Sequence, residues 1–99
     1  MIELSAGTQQ RLELLFSVAD RDEAARLLEE ECADSLPLWN GMTPEGLERV
    51  RYAALRLGGG DLDALRGAVQ LANADWRDVL VAAGFGNDPK AHEGWMPGT

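Results

Sequence analysis

The sequence predicts an all-α domain, a compact bundle of four to five short helices. Between Leu62 and Ala83, apolar residues recur every three or four positions, as they do along one face of a helix. Helix start and stop signals divide the rest of the chain, and the one segment with a strand-like pattern has no convincing partner. The helices are expected at residues 9–17, 21–33, 44–57, 61–73 and 75–84.

The first of these segments, residues 9–17, has an ambiguous pattern. Its apolar residues alternate from Leu12 to Val18 as in a strand, whereas Leu12, Leu15 and Phe16 share a helical face. An unpaired strand would leave its backbone groups without hydrogen bonds. We therefore expect a short helix.

The helix expected at 21–33 has a recognisable start. Asp20 can accept hydrogen bonds from the following amides, while Glu23 reaches back to the amide of the cap residue. On a regular α-helix, Glu31 falls on the buried face beside Leu27, which is unusual for a carboxylate.

The helix expected at 44–57 has signals at both ends. Thr43 is a capping residue and Pro44 occupies the first helical position, where its missing N–H has no cost. The run Gly58–Gly60 ends the helix. Two weak ion pairs are expected on its surface, Glu45–Arg49 and Glu48–Arg51.

The remaining helical region contains a second start within one apolar stripe. Asp61 caps its beginning, and either Asn73 or Asp75 can cap a new helix in its middle. We expect a break there with Trp76 at the joint, and a final stop at Gly84 in the left-handed conformation.

Composition limits the class of protein. The 99 residues, of which 45% are hydrophobic, suit one domain spanning 1–99, and residues 1–8 and 96–99 are expected to be mobile. The net charge of −8 disfavours nucleic acid and membrane surfaces as partners and suits a basic protein. The lone Cys32 cannot form an intrachain disulfide, and no leader pattern is present at the start, so the cytoplasm is the expected compartment.

Glu31 is the one candidate for catalysis or for metal binding. A buried carboxylate could act as a general base or a ligand. The alternative, which we prefer, is that Glu31 pairs with an arginine or reaches solvent at the end of its helix. With one histidine and one cysteine, the chain cannot assemble a zinc set from these residue types, and we expect no cofactor and no metal.

Acidic and aromatic residues are the candidates for protein contact. The acidic run at the end of the second helix could bind a basic surface, although a solvated helix face is the simpler interpretation. Tryptophan is enriched at protein interfaces, but Trp95 is also expected to pack back onto the domain. The candidate contact residues are Glu29, Glu30, Glu31, Asp34, Trp39 and Trp95.

The sequence thus favours a non-catalytic acidic protein-binding module. One concrete form is an immunity- or antitoxin-like inhibitor of a basic partner. A small structural or dimerising helical domain is the first alternative, and the chain could then be a monomer or a homodimer. An enzyme or metal-dependent protein using Glu31 and nearby acids is the second.

Overall fold

Four α-helices account for most of the chain in a computed structural model that describes residues 2–37, 39–88 and 90–97. None of these residues lies in a strand, and the predicted all-α class is confirmed. The elements are α1 (Ala6–Leu15), α2 (Val18–Arg26), a π-helical turn (Leu27–Glu31), α3 (Pro44–Gly58) and α4 (Leu62–Ala82), with short 3₁₀ turns at Trp39–Gly41 and Ala91–Gly94.

The third helix, α3, forms the centre of the core. Val50, Ala53, Ala54 and Leu55 are inaccessible to solvent, and Tyr52 is nearly so. A helix that is buried on several sides needs neighbours on several faces, and α3 packs against α4, α1 and the turn at Ala91–Gly94. Both α1 and α4 therefore pack directly on α3, whereas α2 packs against α1 and α4.

The first segment is a helix rather than a strand, but it begins before the predicted residue 9. The Ser5 hydroxyl accepts a hydrogen bond from the Thr8 amide at 3.2 Å and caps α1 at Ala6. Arg21 secures the other end of α1, because its guanidinium donates to the Phe16 carbonyl at 3.1 Å and to the Glu13 carbonyl at 3.0 Å. The predicted start at residue 9 lacks this first turn because it does not include Ser5 as a cap.

The chain before α1 lies against the body of the protein. The Ile2 amide donates to the Glu29 carbonyl at 3.0 Å, and both Ile2 and Leu4 pack against the core. The mobility expected for residues 1–8 stays a prediction. We refer to residues 2–5 as the N-terminal segment.

The predicted capping role of Asp20 is wrong. The helix begins earlier, after Ser17, whose carbonyl accepts from the amides of Asp20 and Arg21 at 2.9 and 3.1 Å. Ser17 is extended, so the chain turns there from α1 into α2. Asp20 consequently lies inside the first turn, where its charge suits the positive end of the helix dipole.

The end of the second helix also differs from the prediction. The last turn, Leu27–Glu31, is π-helical and so contains one more residue than an α-turn. The additional residue in the turn rotates Glu31 away from the face of Leu27. The side chain of Glu31 is 49% exposed. The prediction that Glu31 shares the buried face is therefore wrong.

The two ends of α3 match their sequence signals. The Thr43 hydroxyl accepts from the Gly46 amide at 2.9 Å, and Pro44 is the first helical residue. Gly59 follows the last turn with φ of 57°, a conformation that glycine adopts without a steric penalty.

The predicted break within the last helical region is confirmed. Asp75 has extended backbone angles (φ −160°, ψ 107°) inside α4, and its carboxylate accepts from the Arg77 amide at 3.0 Å. Asp75 rather than Asn73 is thus the cap of the second half. Trp76 is half-buried at the joint and donates from its indole N–H to the Pro37 carbonyl at 3.0 Å.

The chain after α4 closes over the core. Gly84 adopts a φ of 82°, as predicted, and the Phe85 amide then donates to the Leu80 carbonyl at 2.8 Å. Phe85 is buried, and the following turn brings Trp95 back onto the domain. Among the helices of the described residues, none has both the length and the apolar character needed to cross a membrane.

Candidate functional site

Arg51 is a buried arginine at the meeting point of three segments. Its guanidinium donates to the carbonyl of Leu28, within the π-helical turn, and to that of Cys32, which follows the turn, both at 3.0 Å. It also donates to the carbonyls of Ile2 at 2.8 Å and Glu3 at 3.0 Å. The planar fork of N–H groups allows one side chain to make all four bonds. We call Arg51 and these four carbonyls the helix-end junction.

The charge of Arg51 is balanced in part by backbone dipoles. The last carbonyls of a helix have no partner within the helix and carry partial negative charge. Burial lowers the pKa of Arg51, and the nearby negative charge of Glu29 acts in the opposite direction. Burial also raises the pKa of the Cys32 thiol to about 12, so the thiol is protonated at neutral pH. These groups hold the fold together and offer no reactive side chain.

A groove of about 470 Å³ lies beside this junction, between the N-terminal segment, the Trp39–Thr43 stretch and the start of α3. Trp39 had been predicted as a contact residue, and it is half-buried here against the edge of the core. We call this cavity the Trp39 groove. Its apolar lining comes chiefly from Ile2, Leu4, Trp39, Met42 and Leu47.

Two carboxylates, those of Glu3 and Glu48, also line the Trp39 groove. One oxygen of Glu48 accepts from the Ser5 hydroxyl at 2.7 Å and from the Tyr52 hydroxyl at 3.3 Å. Burial raises the pKa of Tyr52, and the charge of Glu48 adds to this effect, so Tyr52 remains a neutral donor. Within the described ranges, no cationic side chain forms an ion pair with Glu3 or Glu48.

A second groove, of about 310 Å³, shares Met42 and Thr43 with the first. Trp76 and Leu80 supply its apolar lining on the side of α4, and Arg49 reaches it from α3. We call this cavity the Trp76 groove. Met42 and Thr43 therefore form a ridge with a groove on each side.

Arg49 donates only to backbone oxygens. Its Nη2 atom binds the carbonyl of Phe85 and, at 3.4 Å, that of Asp88, while its buried Nε–H has no acceptor among the described residues. Both predicted ion pairs on α3, Glu45–Arg49 and Glu48–Arg51, are therefore wrong. The two arginines bind carbonyl groups from other parts of the chain instead.

The predicted acidic cluster is partly neutralised by Arg26. This arginine lies 2.7 Å from a Glu23 oxygen, 3.4 Å from a Glu30 oxygen and 3.0 Å from a Glu31 oxygen. Its hydrogen bonds lower the pKa of Glu23 to about 2. Glu31 is thus a half-exposed, ion-paired carboxylate rather than a buried one, which confirms the preferred interpretation of that residue.

The remaining predicted contact residues lie outside the two grooves. Glu29 is half-buried and Asp34 is exposed. Trp95 packs back as predicted, with its ring centroid 6.2 Å from those of Tyr52 and Phe85. Its carbonyl accepts from Arg11 at 2.9 Å. Only Trp39 among the predicted contact residues lines either of the two grooves, whereas Glu30 and Glu31 line a separate cavity of about 410 Å³ beside Asn73. The contact role of all these residues stays a prediction.

Sequence reasoning missed three charged residues of the site: Glu48, Arg49 and Arg51. A signal for Arg51 was present, because it interrupts the otherwise apolar run from Val50 to Leu55. A charge within such a run is either a buried hydrogen-bonding group or an interruption of the buried face. The sequence offers no means of seeing which distant carbonyls it would bind.

Among the described residues, no group of three or more His, Cys, Asp or Glu side chains is placed to hold a metal ion. Comparisons of the chain with protein-family models, curated proteins and solved structures find no match. The functional argument therefore rests on the grooves themselves.

Proposed function

We propose that this protein is a non-catalytic binding module that docks a basic segment of another protein in the Trp39 groove. The observation that carries the proposal is an apolar groove lined by two carboxylates, Glu3 and Glu48, neither of which forms an ion pair with a described cation. The buried Arg51 also lines this groove, but it donates its four hydrogen bonds to carbonyl oxygens. An apolar side chain of the partner would fill the groove, and a lysine or arginine would lie beside the carboxylates.

Size and charge support this proposal. The groove volume, about 470 Å³, falls in the range of roughly 300–1,000 Å³ typical of ligand clefts. Trp39 provides the type of large aromatic surface that dominates binding energy at many interfaces. The net charge of −8 would attract a basic partner from a distance and accelerate its association.

An immunity- or antitoxin-like inhibitor of a basic toxin is one concrete form of this module. Such an inhibitor needs affinity and coverage rather than catalytic groups, and an acidic helical domain can provide both. The cytoplasm is the compartment we propose, because a chain with a single cysteine, Cys32, does not rely on intrachain disulfides. The Glu31 alternative gains no support, since that carboxylate is half-exposed and paired with Arg26.

Self-association is the second candidate function, and the exposed apolar residues near the turn from α1 to α2 favour it. Leu14 is 58% exposed and Val18 is 77% exposed. A homodimer would cover such residues. A solution mass that stays monomeric at high concentration in light scattering would remove this candidate.

The experiment for the proposed function compares two matched truncations. The wild type, Trp39→Ala and Leu14→Ala are immobilised and exposed to a lysate of the source cells, and the captured protein is identified, purified and titrated by calorimetry. Leu14→Ala is the control because it removes an exposed apolar side chain outside both grooves. A thermal melt of each variant confirms that it is folded.

We expect the captured protein to be basic and to bind wild type and Leu14→Ala with equal affinity. Its affinity for Trp39→Ala should be at least about tenfold lower. Its affinity should fall as salt increases, because the carboxylates contribute charge attraction. A purified partner that binds Trp39→Ala as tightly as wild type would overturn the proposal. Recovery of the protein alone would also count against it.

A further inference from the structure

The two grooves are two halves of one continuous surface. Met42 and Thr43 line both, so the Trp39 groove and the Trp76 groove adjoin at this ridge. Each half has its own apolar residues, including Trp39 and Leu47 in the first and Trp76 and Leu80 in the second. A single segment that crosses the ridge would place one apolar side chain on each side of it.

The net charges of the two halves have opposite sign. Glu3, Glu48 and the buried Arg51 line the Trp39 groove, which gives it one excess negative charge, and Arg49 lines the Trp76 groove. The charge of Arg49 is not neutralised by any described carboxylate, because its described partners are the carbonyls of Phe85 and Asp88. Its buried Nε–H also has no acceptor among the described residues.

From this arrangement we infer that the docking surface is bipartite and directional. It takes one linear segment of a partner protein that carries two apolar side chains on one face. A lysine or arginine flanks the residue in the Trp39 groove, and an aspartate or glutamate flanks the residue in the Trp76 groove. This inference rests on the proposed function and adds to it the chemistry and the orientation of the partner. A segment placed in the reverse direction would bring like charges together at both ends.

The probe for this inference is a display library of linear 20-residue peptides, selected on the folded wild-type protein. We expect the enriched peptides to share two large apolar residues, with a basic residue beside one and an acidic residue beside the other. A selected peptide is then titrated against Glu48→Gln and Arg49→Gln. Glu48→Gln retains an oxygen that can accept from Ser5 and Tyr52. Asp22→Asn and Lys90→Gln are the matched controls, because both residues are exposed and line neither groove.

Each charge contact is tested by a double-mutant cycle with the peptide. Glu48→Gln should weaken binding about two- to fivefold, and no further loss should follow when the basic residue of the peptide is also replaced by glutamine. Arg49→Gln should behave in the same way toward the acidic residue of the peptide. The two control variants should bind as wild type does, and melting curves show whether Arg49→Gln keeps its fold.

The outcomes separate this inference from the proposed function. If the cycle shows coupling between Glu48 and the basic residue of the peptide, but none between Arg49 and the acidic residue in a folded protein, the bipartite surface is overturned. The proposed function is then unaffected. Enriched peptides that carry the two charges in either order along the chain would overturn the inference that the surface is directional. Selected peptides that bind Trp39→Ala as tightly as wild type would overturn both proposals.

Discussion

The helix-end junction and the Trp39 groove lie side by side on α3 and use their charged groups in opposite ways. At the junction, Arg51 is buried and gives four hydrogen bonds to carbonyl oxygens. In the groove, Glu48 receives two hydrogen bonds from neutral hydroxyls and pairs with no described cation. The first region is closed, whereas the second remains able to bind a charged partner.

This difference separates stability from binding along one helix. A charge that satisfies buried carbonyls cannot be removed without leaving them unpaired, so substitutions at the junction should unfold the protein. A carboxylate on an open groove has water as an alternative partner, so its replacement should affect binding and leave the fold intact.

Removing Arg51 should produce the largest loss of stability. Arg51→Met leaves carbonyls of the π-helical turn and the N-terminal segment without their donor, and we expect it to lower the free energy of unfolding by about 3–5 kcal/mol. Urea denaturation measures this loss. Arg56→Met is the control, because Arg56 is exposed and lies over the Phe85 ring at 5.3 Å. The Arg56→Met variant should lose less than about 1 kcal/mol of unfolding free energy. Equal losses in the two variants would contradict the distinct role of Arg51.

Trp76 should have an intermediate effect, because it serves the fold and borders a groove. A fully buried Trp→Ala change costs roughly 3–5 kcal/mol, and since Trp76 is half-buried we expect about 2 kcal/mol. Trp76→Phe keeps most of the packing but loses the hydrogen bond to Pro37, and should cost about 1 kcal/mol. If neither variant changes the urea midpoint, Trp76 does not pin the break in α4.

Asp75 should have a smaller effect, limited to the second half of α4. Asp75→Ala removes the acceptor for the Arg77 amide and should cost about 1 kcal/mol, whereas Asp75→Asn keeps a capping oxygen and should cost only a few tenths of a kcal/mol. Thermal melts of the two variants provide the comparison. Equal melting temperatures for them would show that tertiary packing, rather than this cap, sets the break.

The smallest expected effect is the acid sensitivity due to Glu23. Arg26 depresses the pKa of Glu23 in the folded protein from 4.5 to about 2. A depressed folded-state pKa adds stability above the unfolded-state pKa, and this stability is lost as the pH falls from about 4.5 toward 2. Glu23→Gln should therefore show a shallower decline in stability over this interval, measured by urea denaturation at several pH values. A slope identical to that of wild type would show that the ion pair contributes nothing.

Local signals predicted the parts of the fold that depend on neighbouring residues. Thr43-Pro44 began α3, Gly58–Gly60 ended it, and Asp75 marked the break in α4, because each acts within one helical turn. The π-helical turn at Leu27–Glu31 could not be predicted, since it depends on distant groups. Arg51 and Asn73 bind its carbonyls, with Asn73 donating to the Glu31 carbonyl at 2.6 Å.

The candidate site was predicted only at Trp39. A large aromatic residue in a connecting stretch suggested contact, but the residues around it come from the N-terminal segment and from α3, about 40 positions apart in the sequence. Glu48 and Arg49 follow one another in the chain and line different grooves. Helical periodicity gives the direction of each side chain but cannot show which loop will cover it.

Chemical-shift mapping on ¹⁵N-labelled protein tests the assignment of the docking surface most directly. The ligand is the purified partner or a peptide selected from the library, and the amide shifts are followed through a titration. We expect the largest changes at Leu4, Trp39, Met42 and Leu47, which line the Trp39 groove. Largest changes at Leu14, Val18 and Val81, the exposed apolar residues outside it, with unchanged shifts at the groove, would contradict that assignment.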